Sequence, residues 1–311
     1  MRVLVSGVAG DIGLGVGRIL QEWGIFDRMY GIDISDDHPA SIIFHQVDVA
    51  PRANHLNYLD WLTDYINVNK IDVFIPTSEV EILVVSSEIN HVQKLCKVLI
   101  NDPFLVEKCL DKHETLSFLS ANSIAVPANG LVEKYNLPLR YPVITKPRKG
   151  QGSKGIQKVD SVSMLKACPN EYVWQEYLTP ENEEYTCAVY VAKDLSTRIL
   201  VLKRLLINGY TGKGLVVDNH LINDYIENIA KAFNRSGLFN IQLRLTDEGP
   251  KLFEINPRLS STLVFRDKLG FHDLRWWMSE CLNIKLPNYK PVPEGTKIYR
   301  GNIEYIVQAD L

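Results

Sequence analysis

The chain has 311 residues, 46% hydrophobic and 23% charged, with 34 Lys plus Arg against 37 Asp plus Glu for a net charge of −3. That balance excludes a disordered, fibrous or disulfide-scaffold protein and gives no overall electrostatic pull toward nucleic acid or an anionic membrane. At ~150 residues per domain the length predicts two domains, or three small ones sharing a core. No apolar run approaches the ~18 residues of a membrane span. The start MRVLVSGVAGDIG breaks at glycines, as a strand and a turn do, rather than continuing as a signal peptide. The five cysteines (96, 109, 168, 187, 281) show no CxxC spacing, so reduced thiols and a cytoplasmic location are expected.

In chain order, strands are predicted at Arg2–Ser6, Met29–Asp33, Ile42–Asp48, Val73–Pro76 and Val98–Asn101. Helices at Ile12–Trp23, Leu56–Val68 and Val80–Leu95 alternate with them. That alternation predicts a parallel sheet covered on both faces. Phe104–Asn122 reads as two short helices broken near Asp111, which would cap the second. Beyond Pro127 the texture becomes α+β with antiparallel sheets. Strands are expected at Tyr141–Lys146, Ile156–Val159, Tyr172–Glu176, Tyr185–Ala192 and Arg198–Ile207. A helix follows at Asp218–Phe233, then a hairpin of Phe239–Thr246 and Lys251–Ile255, and a helix at Leu274–Leu282.

The turn Ser6-Gly-Val-Ala-Gly-Asp-Ile-Gly13 joins a strand to a helix, where free N–H groups favour an anion. Its G-x-x-G-x-x-G spacing is similar to the opening of extended short-chain dehydrogenases, with Asp33 placed to hold a ribose. A nicotinamide oxidoreductase is therefore one alternative. No Tyr in the chain is followed by Lys four residues on, so the proton-transfer pair of those enzymes is missing. A plain structural turn is a second reading. A site for a carboxylate or phosphate that is not a dinucleotide is the third, and it is the one adopted here.

A second glycine cluster, Lys146-Pro-Arg-Lys149-Gly-Gln-Gly152-Ser153-Lys-Gly155, lies between two strands. Glycines let backbone N–H groups approach phosphate oxygens, and the cations offset polyphosphate charge. Further on, alternation along two strands puts Gln242 and Arg244 on one face and Glu254 and Asn256 on another. If the hairpin brings the faces together, a carboxylate and amide oxygens form a hard donor set suited to Mg²⁺, and Arg258 follows as a fixed cation. A solvated basic hairpin tip and a plain Glu254–Arg258 surface pair are the bland alternatives.

Taken in order, these segments resemble the ATP-grasp superfamily, most closely a single half of the carbamoyl-phosphate synthetase large subunit. The resemblance implies a fold of α/β plus α+β type: a pre-ATP-grasp α/β domain over residues 1–103, an ATP-grasp N-terminal subdomain with a glycine-rich lid over 104–183, and a C-terminal subdomain with the metal site over 184–311. It implies that Lys112, Lys146, Lys149, Gly152 and Ser153 meet phosphates and that Gln175 and Glu176 meet adenine. It further implies that Glu184 holds the ribose, while Glu254, Asn256 and Gln242 hold one or two Mg²⁺ ions, or Mn²⁺. Arg258, Arg204 and Lys146 are the expected catalytic cations. Gly10, Asp11, Ser78 and Glu79, at sheet ends of the first domain, are expected with Arg258 to hold substrate.

The chain has room for one half only and no glutaminase signature, so the implied activity is that of an ATP-dependent carboxylate–amine ligase working through an acyl phosphate. Its partners would be a small carboxylate and an amine, with no nucleic acid and no membrane; a homodimer is left open. A non-catalytic nucleotide-binding relative is the remaining alternative.

Overall fold

The computed structural model describes residues 1–133, 137–150, 155–207, 209–301 and 305. The chain divides into two compact units. The first comprises Met1–Pro103, Arg258–Val292 and the described residues from Arg300 onward; the second comprises Phe104–Pro257 and Pro293–Tyr299. Residues 258–292, grouped by sequence with the C-terminal subdomain, thus belong to the first unit.

The first unit is built on a five-stranded sheet in the order Gln46–Val49, Arg28–Asp33, Arg2–Ser6, Val73–Ile75, Lys97–Val98. Every neighbouring pair is parallel. Val3, Leu4 and Val5 are consecutive and all fully buried, because both faces of a parallel sheet are covered. Helix Asp11–Trp23 buries Val16, Ile19 and Leu20. Two sequence expectations shift here. The strand expected from Ile42 begins at Gln46, because Pro39–Ile42 forms a 3₁₀ turn capped by the His38 ring. The long helix expected over 80–95 is two, Glu79–Ser87 and Ile89–Val92. At the break the Ser87 hydroxyl donates back to the Val84 carbonyl at 2.8 Å, which competes with helix continuation.

The third glycine of the first turn has a packing reason. A Cβ on Gly13 would lie 2.3 Å from the Gly7 carbonyl oxygen, a backbone atom that cannot step aside. Gly13→Ala is expected to lower stability by ~1–3 kcal/mol through overpacking, outweighing the ~0.5–1 kcal/mol that alanine gains in a helix. A urea midpoint unchanged or raised in the variant would refute this.

Where strands Arg2–Ser6 and Val73–Ile75 end, Glu81 is 5% exposed and accepts hydrogen bonds from the Ser6 and Tyr58 hydroxyls. Burial pushes its carboxyl up to about 7, against the opposing pull of those bonds. The native state therefore holds a proton that the unfolded chain has released, so stability falls as pH rises from about 4.5 to about 7. Glu81→Gln should flatten this interval of the melting-temperature profile; an unaltered slope would count against it.

The second unit holds two antiparallel sheets. One has the order Asn129–Leu131, Tyr172–Glu176, Val143–Pro147, Gln157–Val159. The other runs Gly249–Asn256, Gly237–Thr246, Glu184–Val191, Thr197–Ile207, Tyr210–Val216, Lys297–Tyr299. Helix His220–Phe233 packs Ile222, Ile226, Ile229 and Phe233 with Cys187, Val201 and Ile241 of the larger sheet. The glycine-rich stretch 209–214 lies largely in strand Tyr210–Val216. Gly212 and Gly214 are there for contact: a Cβ at either would press on Ile207 or Ile298. Among the described residues, no helix is long and apolar enough to cross a membrane.

Candidate nucleotide site

Helix Lys112–Ala121 begins at Asp111, whose carboxylate accepts from the His113 and Glu114 N–H groups. That cap fixes Lys112 at the first helical position. Its ammonium lies 3.4 Å from the Glu254 carboxylate and donates to the Gly150 carbonyl at 2.8 Å. The same Asp111 grips Arg148 at 2.8 Å, and the Lys112 N–H bonds the Arg148 carbonyl. The stem of the glycine-rich loop is thereby tied to the helix start. Gly152 and Ser153, assigned from sequence to phosphate binding, lie outside the described residues. Lys149 is exposed.

Lys146, on strand Val143–Pro147, is 4% exposed and donates to the Phe253 carbonyl at 2.6 Å. Burial pushes its ammonium down to about 7; Glu254 opposes the fall and Lys112 reinforces it. Two lysines therefore bracket one carboxylate.

That carboxylate sits on the hairpin of Gly237–Thr246 and Gly249–Asn256. Pairing sets Gln242 opposite Glu254 and Asn240 opposite Asn256, with a register shift just past Gln242. Period two puts Glu254 and Asn256 on one face. Next to it, Glu184 of strand Glu184–Val191 is held by Arg204 at 2.8 Å on one oxygen and by Arg244 at 2.9 Å on the other. Arg204 also donates to the Gln242 amide oxygen at 2.9 Å.

These groups share one cavity of about 250 Å³ within the second unit, lined by Lys112, Lys146, Gly150, Gln175, Glu176, Glu184, Arg204, Gln242, Arg244 and Glu254. Ile144, Ile156, Leu178, Leu206 and Phe253 supply apolar walls. A cleft with apolar walls and clustered cations fits a flat aromatic base at one part and a polyanion at another.

A family model described as the ATP-grasp domain matches residues 109–262. The chain carries an ATP-grasp domain. No curated protein sequence matches the chain. Among solved structures it is similar to N5-carboxyaminoimidazole ribonucleotide synthetase from Thermotoga maritima, at 18% identity and TM-score 0.67, covering 94% of this chain and 78% of that one. It is similar to L-amino acid ligase from Bacillus licheniformis, at 14% identity and TM-score 0.71, covering 90% and 74%. It is also similar to the biotin carboxylase domain of Hydrogenobacter thermophilus 2-oxoglutarate carboxylase, at 14% identity and TM-score 0.75, covering 95% and 73%. These likenesses establish the fold over nearly the whole chain.

Within the ATP-grasp domain, two cations to which the sequence reading gave no role also make contacts. Arg244 lines the cavity, donating also to the Leu178 carbonyl at 2.6 Å. Lys251 holds the Glu176 carboxylate at 3.1 Å, and the Ala128 N–H takes the same group. The side chain of Glu176 is thus engaged by protein. The signal for Arg244 was its period-two relation to Gln242.

The expected substrate residues belong to the first unit. Gly10 starts helix Asp11–Trp23, and Asp11 is ion-paired with Arg300 at 3.0 Å. The Ser78 hydroxyl caps helix Glu79–Ser87. Arg258 and Glu79, both assigned to substrate, grip each other through Nε at 3.1 Å and through Nη2. Asp33, the residue placed to hold a ribose in the nicotinamide alternative, accepts from the Ala9 and Ile34 N–H groups at 2.8 and 2.7 Å. Its carboxylate therefore organises the glycine turn. Trp276 and Phe271 are fully buried and pack on each other edge to face.

Proposed function

We propose that this protein is an ATP- and Mg²⁺-dependent carboxylate–amine ligase that forms an amide through an acyl phosphate, releasing ADP and phosphate. The observation that carries the reading is the convergence of Lys112, Lys146 and Glu254 in one cleft of an ATP-grasp domain. The names of the similar structures, among them an L-amino acid ligase and ribonucleotide synthetases, support a small-molecule carboxylate and amine as substrates.

A carboxylate is a poor acyl donor because oxide is a bad leaving group. Transfer of the γ-phosphoryl group breaks the bond to ADP and makes phosphate the leaving group; the amine then attacks the carbonyl carbon and expels it. The first step demands positioning and charge neutralisation rather than a protein nucleophile. Lys146 and Lys112 supply positive charge to the phosphates, and the glycine-rich stem tied to Asp111 brings backbone N–H groups near them. The donors Glu254 and Asn256 are hard oxygens, which fits a divalent cation; Gln242, facing Glu254, accepts from Arg204. When bound, that ion would offset phosphate charge alongside the lysines. Arg204 extends the cationic wall. Arg258 and the sheet-end residues Gly10, Asp11, Ser78 and Glu79 are proposed to meet the acceptor, with the Arg258–Glu79 pair opening to admit an anion and an ammonium. A cytoplasmic location and a homodimer fit this reading.

The test is phosphate release on incubating the protein with ATP, Mg²⁺ and pools of amino acids and other small acids. Release should require both a carboxylate and an amine, and an amide product should appear by mass spectrometry. Nucleotide-independent turnover, or no ATP binding at all, would overturn the proposal.

Lys146 gives a second measurable consequence. In the free protein at pH 8 its ammonium is largely deprotonated, since burial holds it near 7. A bound polyanion favours the charged form, so ATP binding at pH 8 should draw in close to one proton, and little at pH 6. Calorimetry in buffers of different ionisation enthalpy reads this uptake directly. Lys146→Met should abolish it; equal uptake in the variant would reject the assignment.

A further inference from the structure

We infer that the nucleotide site takes a single divalent cation, with the Arg204 guanidinium standing as a resident positive charge where a second ion would need a carboxylate. This rests on the reading of the cleft as an ATP site.

The hairpin register decides how many carboxylates the site can offer. Gln242 is directly opposite Glu254, so at that level of the paired strands one side chain is anionic and the other a neutral amide. On the far side of Gln242 the facing residue is Thr186, whose hydroxyl donates to Asn240 at 3.1 Å and brings no charge. Among the described residues no group of three or more His, Cys, Asp and Glu side chains is placed to hold a metal. Glu254 is therefore the one carboxylate of the set Glu254, Asn256 and Gln242.

The amide oxygen of Gln242 moreover already accepts one hydrogen bond. It accepts from Arg204 Nη2 at 2.9 Å. Arg204 is held in place by Glu184, through Nε at 2.9 Å and Nη2 at 2.8 Å, and the second oxygen of Glu184 is claimed by Arg244. Two guanidiniums share one carboxylate, so the cluster keeps an excess positive charge. A guanidinium does not deprotonate in a protein. Any cation ligated by Gln242 would sit within one hydrogen bond of that fixed charge, whose carboxylate partner, Glu184, is already shared with Arg244. The polyphosphate, by contrast, gains from it. Arg204 does permanently on this side of the cleft what an exchangeable ion does beside Glu254.

The test counts ions. The protein is saturated with adenylyl imidodiphosphate, a non-hydrolysable ATP analogue, and titrated with Mn²⁺, free Mn²⁺ being read by electron paramagnetic resonance. One bound Mn²⁺ per bound analogue is expected for the unaltered protein. Two would overturn the inference and leave the ATP reading standing; failure to bind the analogue at any Mn²⁺ concentration would overturn both. Gln242→Glu alone should still take one ion, because Arg204 pairs with the new carboxylate. Gln242→Glu combined with Arg204→Gln should take two. A second ion in the single variant, or only one in a double variant that is folded by circular dichroism and binds the analogue, would show that Arg204 is not the excluding charge.

Discussion

Arg266→Met is expected to destabilise the protein by about 3–5 kcal/mol, the range seen when one partner of a buried ion pair is removed. Arg266 is 1% exposed and Asp273 2%. The guanidinium meets the Asp273 carboxylate at 2.7 Å and donates to the Ser260 and Thr262 hydroxyls at 2.6 and 2.9 Å. Burial pushes the Asp273 carboxyl up and Arg266 pulls it back. Without the cation, a buried carboxylate left without its counter-charge must protonate or leave the core. The loss should therefore be largest at neutral pH and shrink as pH falls, since the variant's native state takes up a proton that the unfolded chain does not hold. Urea titrations at pH 5 and pH 8 measure both parts. Arg266→Met with Asp273→Leu should recover most of the loss, because a packed apolar pair of similar volume needs no desolvated charge. A single-variant loss under ~1 kcal/mol, the scale of an exposed pair, would refute the account.

The second large effect is on chemistry. Glu254→Gln keeps shape but removes the cleft's one metal-side carboxylate. Turnover should fall 10²–10³-fold, about 3 kcal/mol, as for loss of one preorganised electrostatic group. The substitution also removes the charge that holds the Lys146 ammonium up against burial and Lys112. Lys146 in the variant then loses its proton at lower pH, so the deficit should widen between pH 6 and pH 8. Pre-steady-state phosphate release across that range reads both. Full turnover in the variant would remove Glu254 from the mechanism.

The parts of the site that were legible beforehand are local ones. Asp111 reads as a cap because a short acceptor before a helical run has one obvious partner, the next turn's N–H groups. The pairs Gln242/Arg244 and Glu254/Asn256 read as facing sets because strand side chains alternate with a fixed period. Lys146 is recognisable by its place at a strand end before a glycine-rich loop. The burial that lowers its pKa comes from elements more than a hundred residues away, and sequence does not show it.

Other residues mislead for the same reason. Gly212 and Gly214 have turn chemistry, yet they sit in a strand because Ile207 and Ile298 occupy the space a side chain would fill. Arg258 stands two residues from Asn256 and was grouped with it, but its side chain grips Glu79, 179 residues away. Asp33 ends a strand as a ribose acceptor would, and instead ties down the turn beside it.

Composition, strand and helix periods, caps and the order of charged motifs depend on neighbours within a few residues, and these were legible in the chain alone: a parallel sheet followed by antiparallel ones, and a hairpin carrying Gln242 and Glu254. Register, burial and charge partnership depend on residues far apart in sequence. Folding was needed to bring Arg204 onto Gln242 and Glu184, to close two lysines around Glu254, and to return residues 258–292 to the first unit.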